Sequence, residues 1–440
     1  MLELVGKYTS AKVFTDNVEE EAIQQIYDVI NSKAFDGQTV RIMPDCHAGR
    51  DICIGFCSTI GRYVNPNTIG VDIGCSMTTV EYNKPLSKEN YELFNHRVLK
   101  EIGFGFNMSP TKAYEEKNLY AFLSNECNKM KSAHPELFEC LPSRIDEKWI
   151  SDFCKRIGMK ENVFYNSINS VGGGNHFVEY GEGVDDKGNP HYGVTIHCGS
   201  RNLGVKVCEY WANIAKESLT KKQTRELTNE FKDTYLNTHE NMKNFKEDLN
   251  AFLESKKEGK INGFLNEENM VGYFCDMVIA MAYAKYNHLI ITQTIEKIMS
   301  GFGLSPTRSI RSVHNYIDFS SEKPIIRKGA IRSYIGEEMI VPFNMRDGLA
   351  ICEGKSNEDW LCSCAHGAGR IMSRNKAKET LSMEEFSDEM SNVYSTTVCK
   401  GTIDESPMAY KNTEEIKNLI SETCTIKYML VPKINIKAVE

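Results

Sequence analysis

The hydrophobic and polar positions of the chain follow two different patterns. Residues 38–83 contain short β-branched runs punctuated by Gly, Pro and Asn, as in TVRIMPDCHAG and NTIGVDIGCSMTTVEY. This pattern predicts short strands that end in loops. Strand-like runs return at 324–352 and in the C-terminal stretch TIKYMLVPKINIKAV. GVTIHCGSRNLG predicts a strand that enters a turn, with a helix beginning at about Val205.

Helical spacing dominates two other regions of the chain. Residues 87–160 have a mostly helical pattern, and the stretch from Val205 to Ser300 has the clearest one. Within that stretch, one apolar helix face is formed by Val271, Phe274, Cys275, Val278 and Ala282. No repeat or long linker divides the chain. We therefore predict an α+β fold, with a β-rich core interrupted by a mainly helical insertion at about 205–300.

Composition narrows the class of protein. The formal net charge of −8 argues against bulk attraction to nucleic acid, although residues 301–376 carry a local excess of Lys and Arg. No uncharged apolar stretch is long enough to span a membrane, and the N-terminus lacks the features of a signal peptide. The fifteen cysteines lack paired CxxC spacing. We therefore expect reduced thiols and a cytoplasmic protein that does not associate with membranes.

Unusual polar residues are concentrated in glycine-rich loops. The segments are MPDCHAGRD, VDIGCSM, GGGNHFVEY, IHCGSRNLG and CAHGAGR, and SVHNYID adds a sixth without glycine. Glycine permits tight turns and close approach of a ligand, and loops at strand ends are where functional sites collect. The number of such segments in one chain favours a single composite site.

Five residues from these loops form a candidate metal-binding set: Asp72, Cys75, His176, His197 and His314. Their oxygen, sulfur and nitrogen donors would hold two adjacent divalent ions with one ligand shared, and either zinc or manganese fits this chemistry. Taken singly, each residue has a structural alternative. Asp72 would form a turn, Cys75 would be a buried thiol, and each histidine would be an ordinary core or surface residue.

His366 is a candidate nucleophile. It is followed by Gly367, Ala368, Gly369 and Arg370, so phosphate oxygens would meet bare backbone N–H groups and a positive charge. A metal-ligating histidine or a plain turn is the alternative. The chain has no GxxxxGK[ST] and no strand-linked GxGxxG, which excludes the common nucleotide-binding frameworks.

The ordered set of motifs resembles the RtcB family, whose members are GTP-dependent ligases that join RNA 3′-phosphate or 2′,3′-cyclic phosphate ends to 5′-hydroxyl ends. The matching segments span nearly the whole chain: MPDCHAG, VDIGCSM, GGGNHFVE, HCGSRNLG, HNY, RKGAIRS, CSCAHGAGRIMSR, IDESPMAYK and Lys437. The resemblance implies one large catalytic domain over residues 1–440.

The resemblance also implies a role for each matching position. The five candidate ligands would bind two manganese ions, and His366 would carry GMP as a covalent intermediate. Asp45 would be needed for sealing, and Arg201 would receive an RNA phosphate. The residues implied at the nucleotide are Asn175, His176, Phe177, Val178, Glu179, His314, Asn315, Pro342, Phe343, Asn344, Met345, Gly367, Ala368, Gly369 and Lys437. Glu179 would hold the guanine edge, and Lys437 would also contact the base.

The implied reaction has three nucleotidyl steps. His366 would attack GTP and release pyrophosphate, GMP would move to the RNA 3′-phosphate, and the 5′-hydroxyl would displace GMP from the RNA(3′)pp(5′)G end. Cyclic ends would first be hydrolysed. The expected partners are therefore RNA with such ends and GTP, in RNA repair or tRNA splicing. An archease-type activator is known for the family, but no residue of this sequence requires one.

The chain departs from the family in one segment. Many members carry PGSMG and a nearby serine upstream of HGAG, whereas this chain reads VPFNMRDGLAI. Phe343 and Arg346 are expected to add bulk and charge to the wall of the nucleotide site, and Leu349 stands at the serine position. The change permits a second hypothesis, a metal-dependent phosphoesterase that acts on RNA ends without nucleotidyl transfer. A third hypothesis is a non-catalytic protein that binds RNA ends.

Overall fold

The computed structural model describes residues 1–106, 108–109, 113–216, 221–238, 242–255 and 261–439. Three segments of the predicted helical insertion, 217–220, 239–241 and 256–260, lie outside these described residues. Within the described residues the chain folds into both helices and sheets, as the α+β prediction requires.

The strands, numbered β1 to β17 in chain order, are Leu2–Val5, Ser10–Val13, Val40–His47, Ile54–Thr59, Ser76–Tyr82, Gly103–Phe104, Ser170–Val171, Phe177–Val184, Pro190–Cys198, Pro306–Val313, Asn315–Asp318, Ile325–Lys328, Ala330–Arg332, Glu338–Asn344, Gly348–Gly354, Ser363–Ala365 and Cys424–Lys437. The strands predicted within 38–83, within 324–352 and at the C-terminus are confirmed.

The helices, numbered α1 to α13, are Glu20–Ile30, Tyr91–Glu101, Glu116–Ala133, Pro135–Phe138, Glu147–Ile157, Glu161–Asn166, Asn202–Lys216, Lys221–Thr238, Phe245–Ser255, Glu267–Ser300, Arg374–Thr380, Met383–Glu389 and Thr413–Ile420. The helix expected at about Val205 begins earlier, at Asn202. No helix of the described ranges has both the length and the apolar composition that crossing a membrane requires.

Two large sheets form the framework. One has the strand order β10-β5-β9-β8-β17-β15-β14, and all of its pairs are antiparallel. The other has the order β1-β2-β3-β4-β12-β11, with β2 and β3 parallel. Two short pairs, β13-β16 and β6-β7, complete the β structure of the described residues. The first sheet carries most of the candidate site, because β5, β8 and β9 each begin or end at a glycine-rich loop and β10 ends next to His314.

Helix α10 forms the centre of the helical part. It runs for 34 residues and buries side chains on several faces, because it packs against α3, α7, α2 and strand β9. The face predicted from the sequence is confirmed for Phe274, Cys275, Val278 and Ala282, which are buried, whereas Val271 is half-buried. Trp211 donates to Asp276 at 2.7 Å, which ties α7 to α10.

A buried ion pair ties the smaller sheet to the loop before β16. Arg327 is fully buried, and its Nη1 lies 2.6 Å from Asp318 Oδ2. Its Nε donates to Ser363 Oγ at 2.9 Å, and its Nη2 donates to the Cys362 carbonyl oxygen at 3.2 Å. Since β16 leads directly to His366, this guanidinium holds one side of the candidate site in place.

Removing this guanidinium should lower the stability of the folded protein. Arg327→Met leaves the Asp318 carboxylate buried without its cation, which typically costs about 3–5 kcal/mol. Urea denaturation should show a drop of this size in the free energy of unfolding. The matched control is Arg332→Met, because Arg332 pairs with Glu337 at the surface, where a pair contributes about 1 kcal/mol or less. Equal losses in the two variants would contradict the assigned role of Arg327.

Candidate active site

The register of three neighbouring strands collects most of the candidate metal ligands. Ser76 of β5 pairs with Cys198 of β9 on one side and with Val313 of β10 on the other. The residues next to these positions, Cys75, His197 and His314, are therefore brought to the same end of the sheet. His176 directly precedes β8, whose first residue, Phe177, pairs with His197. Residues far apart in sequence thus become neighbours through strand pairing.

The five predicted ligands form two overlapping triplets. Cys75, His197 and His314 make one, and Asp72, Cys75 and His176 make the other; within each, one donor atom per residue lies within 4.8 Å of the others. Cys75 Sγ is 3.3 Å from both His176 Nε2 and His197 Nε2. His197 Nε2 is 3.3 Å from His314 Nε2, and His176 Nε2 is 3.0 Å from Asp72 Oδ2. The arrangement suits two adjacent cations that share the sulfur.

The electrostatics of this cluster also suit cations. Burial lowers the pKa values of His197 and His314 well below their usual range, so both imidazoles are neutral and offer lone pairs. Burial raises the pKa of the Cys75 thiol, and the neighbouring Asp72 raises it further. Although burial opposes its ionisation, His176 keeps the pKa of Asp72 at about 2. A thiolate ligand at Cys75 would require a bound cation to stabilise its charge.

The ligands are oriented by backbone contacts. Gly74 has φ +71°, a conformation that suits glycine, and its N–H donates to the Asn315 carbonyl oxygen at 2.8 Å. Asn315 Nδ2 in turn donates to the Asp72 carbonyl oxygen at 3.1 Å. His197 Nδ1 lies 3.1 Å from the Asn175 carbonyl oxygen. Its proton is thereby directed away from the cluster, which leaves Nε2 for a metal.

His366 is held by Asp45. The Asp45 side chain is fully buried, and its Oδ2 lies 2.6 Å from His366 Nδ1 and accepts from the His366 backbone N–H at 3.1 Å. The backbone of Gly369 packs so closely on Asp45 that a Cβ there would collide with the Asp45 carbonyl oxygen. The His366 and His314 rings lie with centroids 4.9 Å apart, so the candidate nucleophile adjoins the metal cluster.

A cavity of about 590 Å³ connects these groups. Most of the predicted site residues line it: Asp72, Cys75, Asn175, Phe177, Glu179, His197, His314, Asn315, Pro342, Phe343, Asn344, Met345, His366, Gly367, Ala368, Gly369 and Lys437. The remaining predicted residues do not line it. His176 contacts Cys75, and Asp45 contacts His366. The Val178 side chain packs into the core on the other face of β8.

Arg201 lies apart from the cavity. It has φ +55°, an uncommon conformation for a residue other than glycine. Its Nε donates to Ser170 Oγ at 3.1 Å, and its Nη2 donates to the Gly105 carbonyl oxygen. The predicted contact of Arg201 with an RNA phosphate therefore stays a prediction.

Strand alternation builds one end of the cavity. Phe177 and Glu179 project from the same face of β8, and Lys437 and Asn435 pair with them from β17. Asn435 Nδ2 donates to Glu179 Oε2 at 2.7 Å. Lys437 Nζ lies 5.3 Å from the centre of the Phe177 ring. Burial raises the pKa of Glu179 to about 8, although Asn435 and Lys437 oppose this shift.

A cluster around Glu405 was missed in the sequence. This buried carboxylate forms ion pairs with Lys437 Nζ at 3.0 Å, Arg374 Nη1 at 2.6 Å and Arg370 Nη1 at 3.2 Å. The Tyr410 hydroxyl donates a hydrogen bond to it at 2.7 Å. Burial opposes its ionisation, but the three cations lower the pKa of Glu405 to about 2. In the sequence, the signal for this cluster is the IDESPMAYK segment, which contains Glu405 and Tyr410. Glu405 fixes three positive side chains at the cavity wall.

The altered hairpin does not add a free charge to the cavity. Phe343 and Met345 line the cavity while packing into neighbouring cores. Arg346 instead pairs with Asp347 at 2.7 Å and with Glu389, and it is not among the lining residues. The expectation that Arg346 charges this wall is therefore wrong, because the two carboxylates draw its guanidinium away. Leu349 is buried in a core cluster with Phe177.

Known proteins resemble this chain over most of its length. A family model described as "tRNA-splicing ligase RtcB" matches residues 25–438. The chain is 26% identical to the RNA-splicing ligase RtcB of Escherichia coli (strain K12), over 94% of this chain and 93% of that protein. It is 24% identical to the tRNA-splicing ligase RtcB of Methanococcus maripaludis, over 96% of this chain and 92% of that protein.

The shared sulfur makes a specific prediction about metal binding. With Mn²⁺ as the probe, calorimetry and metal analysis should find two ions per chain, one for each triplet. His176→Ala should lose one ion, since His176 belongs to one triplet only. Cys75→Ala should lower the affinity for both ions by at least about tenfold, because both ions depend on its sulfur. His96→Ala, at an exposed histidine outside the site, is the control. Unchanged metal content in Cys75→Ala would show that the ligand assignment is wrong.

Proposed function

The chain belongs to the RtcB family and is an RNA ligase, and from this premise we propose that it uses GTP and two manganese ions to join RNA ends. The substrates would be a 3′-phosphate or 2′,3′-cyclic phosphate end and a 5′-hydroxyl end. The observation that carries the proposal is the position of His366, which adjoins the two metal triplets in one cavity.

The contact with Asp45 prepares His366 for nucleophilic attack. Because Asp45 Oδ2 lies 2.6 Å from His366 Nδ1, the Nδ1–H group donates a hydrogen bond to the carboxylate, and Nε2 keeps a free lone pair. Asp45 also accepts from the His366 backbone, which fixes the direction of the ring. The carboxylate would further stabilise the positive charge that develops on the imidazole during attack. In this proposal Asp45 positions His366 for the transfer.

The proposed reaction has three steps. His366 Nε2 forms a bond to the α-phosphorus of GTP while the bond to the β-phosphate oxygen breaks, and pyrophosphate leaves. An oxygen of the RNA 3′-phosphate then attacks the same phosphorus, and the N–P bond to His366 breaks to give RNA(3′)pp(5′)G. Finally the 5′-hydroxyl loses its proton and attacks the RNA 3′-phosphorus, and GMP leaves. Cyclic ends would first be opened by water.

The chain's own residues would divide the work of binding. Asp72, Cys75, His176, His197 and His314 would hold the two ions, which neutralise phosphate charge and align the reacting oxygens when bound. The backbone N–H groups that follow His366 would meet phosphate oxygens. Glu179 and Lys437 lie together at the far end and would hold the base edge. The cavity would thus hold the triphosphate between the ions and the base.

The wider setting of the reaction is also part of the proposal. The family's and the relatives' names connect the chain with tRNA splicing, and RNA repair is a second proposed setting. Arg201 would contact the RNA backbone. We propose a single catalytic domain over residues 1–440 with a helical insertion at about 205–300. The cytoplasm is the proposed location, because reducing conditions keep Cys75 available as a ligand. An archease-type protein would be the activating partner.

The decisive test is covalent labelling of His366. Incubation with Mn²⁺ and α-labelled GTP should give an acid-labile, base-stable adduct, as expected for a phosphoramidate. His366→Ala should give none, because no other side chain replaces Nε2. Gel autoradiography after acid and base treatment measures both properties.

A matched control distinguishes the loss of the nucleophile from the loss of the fold. His191→Ala removes a histidine that pairs with Glu81 and lies outside the cavity, and this variant should still be labelled. Absence of any adduct with all four nucleoside triphosphates would contradict nucleotidyl transfer. Release of phosphate from RNA ends by such a protein would instead support the metal-dependent phosphoesterase.

Nucleotide binding should depend on the ionisation of Glu179. An ionised carboxylate accepts guanine N1–H more strongly than a neutral carboxyl does, and burial raises the pKa of Glu179 to about 8, so the group is largely neutral at neutral pH. GTP affinity should therefore rise several-fold between about pH 7 and about pH 8.5. Calorimetry with His366→Ala measures binding without transfer. Glu179→Gln, which does not titrate, should lose this rise; a rise that persists in Glu179→Gln would assign it to another group.

A further inference from the structure

Asn435 has an unusual buried amide. Its side chain is 1% exposed and lines the cavity beside Glu179 and Lys437. Its Nδ2 donates to Glu179 Oε2, but its Oδ1 is buried and has no hydrogen-bond partner among the described residues. Buried polar atoms without partners are rare in proteins, so this oxygen calls for an explanation.

The orientation of this amide follows from its neighbour. The NH₂ group of Asn435 faces Glu179, whose ionised form can only accept hydrogen bonds, so the amide oxygen faces elsewhere. The antiparallel pairing of Asn435 with Glu179 fixes both side chains on the cavity face of neighbouring strands. Two acceptors, the Glu179 carboxylate and Asn435 Oδ1, are thereby presented side by side.

We propose that Asn435 determines base specificity by accepting a hydrogen bond from the exocyclic 2-amino group of a guanine base. This inference rests on the proposed function, because it takes the bound nucleotide to be a guanine nucleotide with its edge at Glu179. Guanine presents N1–H and the 2-amino group as adjacent donors, which matches the two adjacent acceptors. Asn435 Oδ1 gains its missing partner, and Glu179 accepts N1–H.

The same pair rejects other purines by chemistry rather than by size. Adenine presents an unprotonated nitrogen at position 1 and a C–H at position 2, so both acceptors would face groups that donate nothing. A site whose buried polar groups are left unpaired by the wrong ligand discriminates strongly. Hypoxanthine keeps N1–H and lacks only the 2-amino group. Inosine triphosphate therefore isolates the contribution of Asn435 from that of Glu179.

The test compares equilibrium binding of GTP and inosine triphosphate in the His366→Ala protein at about pH 8, where about half of Glu179 is ionised and both bases keep N1–H. GTP should bind more tightly. Adding Asn435→Leu should reduce this preference by roughly threefold or more, the effect of one hydrogen bond. The ratio is the readout, because loss of the Asn435 donor also changes Glu179, and that change affects both nucleotides equally.

Controls address the fold and the dependence on nucleotidyl transfer. Ile436, the next residue of β17, is buried in the core on the other face, so Ile436→Val should keep the full preference. Asn435→Ala repeats the comparison should Asn435→Leu fail to fold, with retained Mn²⁺ binding as the measure of an intact site. If GTP binds but the wild-type protein forms no adduct, nucleotidyl transfer fails while the role of Asn435 stands.

Three outcomes would contradict the proposed role of Asn435. An unchanged preference in both Asn435 variants would mean that Oδ1 does not read the base. Equal weakening of both nucleotides would reduce Asn435 to a structural support of Glu179. Absence of saturable binding by either nucleotide would remove the base-recognition site altogether.

Discussion

The register between β10, β5 and β9 is the constraint on which the rest of the site depends. Val313, Ser76 and Cys198 lie side by side in this register, so His314, Cys75 and His197 must meet at one end of the sheet. A shift of one residue would turn every side chain to the opposite face and separate the three donors. Backbone hydrogen bonds between the strands therefore hold this cluster of polar groups together. Without them, the cost of desolvating these groups and their mutual repulsion would separate them.

The cavity also separates its charges. At one end, the neutral imidazoles of His197 and His314 adjoin the Cys75 thiol, which suits bound cations. At the other end, buried Glu405 forms ion pairs with a lysine and two arginines and holds them at the wall. A buried charge is tolerated only when it is paired and hydrogen-bonded. The Glu405 carboxylate is paired with side chains of the protein itself, whereas the charges of the cysteine-centred cluster would be paired with metal ions.

The altered hairpin between β14 and β15 shows how a local substitution is absorbed. Asn344 accepts from the backbone N–H groups of Arg346 and Asp347, and Asp347 in turn accepts from Thr413 Oγ1 at 2.6 Å. The charged residues of the turn thereby satisfy one another outside the cavity. The cavity wall receives Phe343 at the position of a family glycine, so the substitution adds an apolar side chain to this wall but not the charge of Arg346.

The sequence alone determined the features that depend on local periodicity and residue type. The alternating runs predicted the strands that flank the site, the spacing of Phe274, Cys275, Val278 and Ala282 predicted the buried face of α10, and the glycine-rich loops identified the donors. Only the tertiary structure decided which groups meet. It grouped the ligands into triplets that share Cys75, placed three cations on Glu405, turned Arg346 away and set Asn435 against Glu179, 256 residues distant. The physical reason is that periodicity acts over neighbouring residues, whereas these contacts arise from the pairing of strands far apart in the chain.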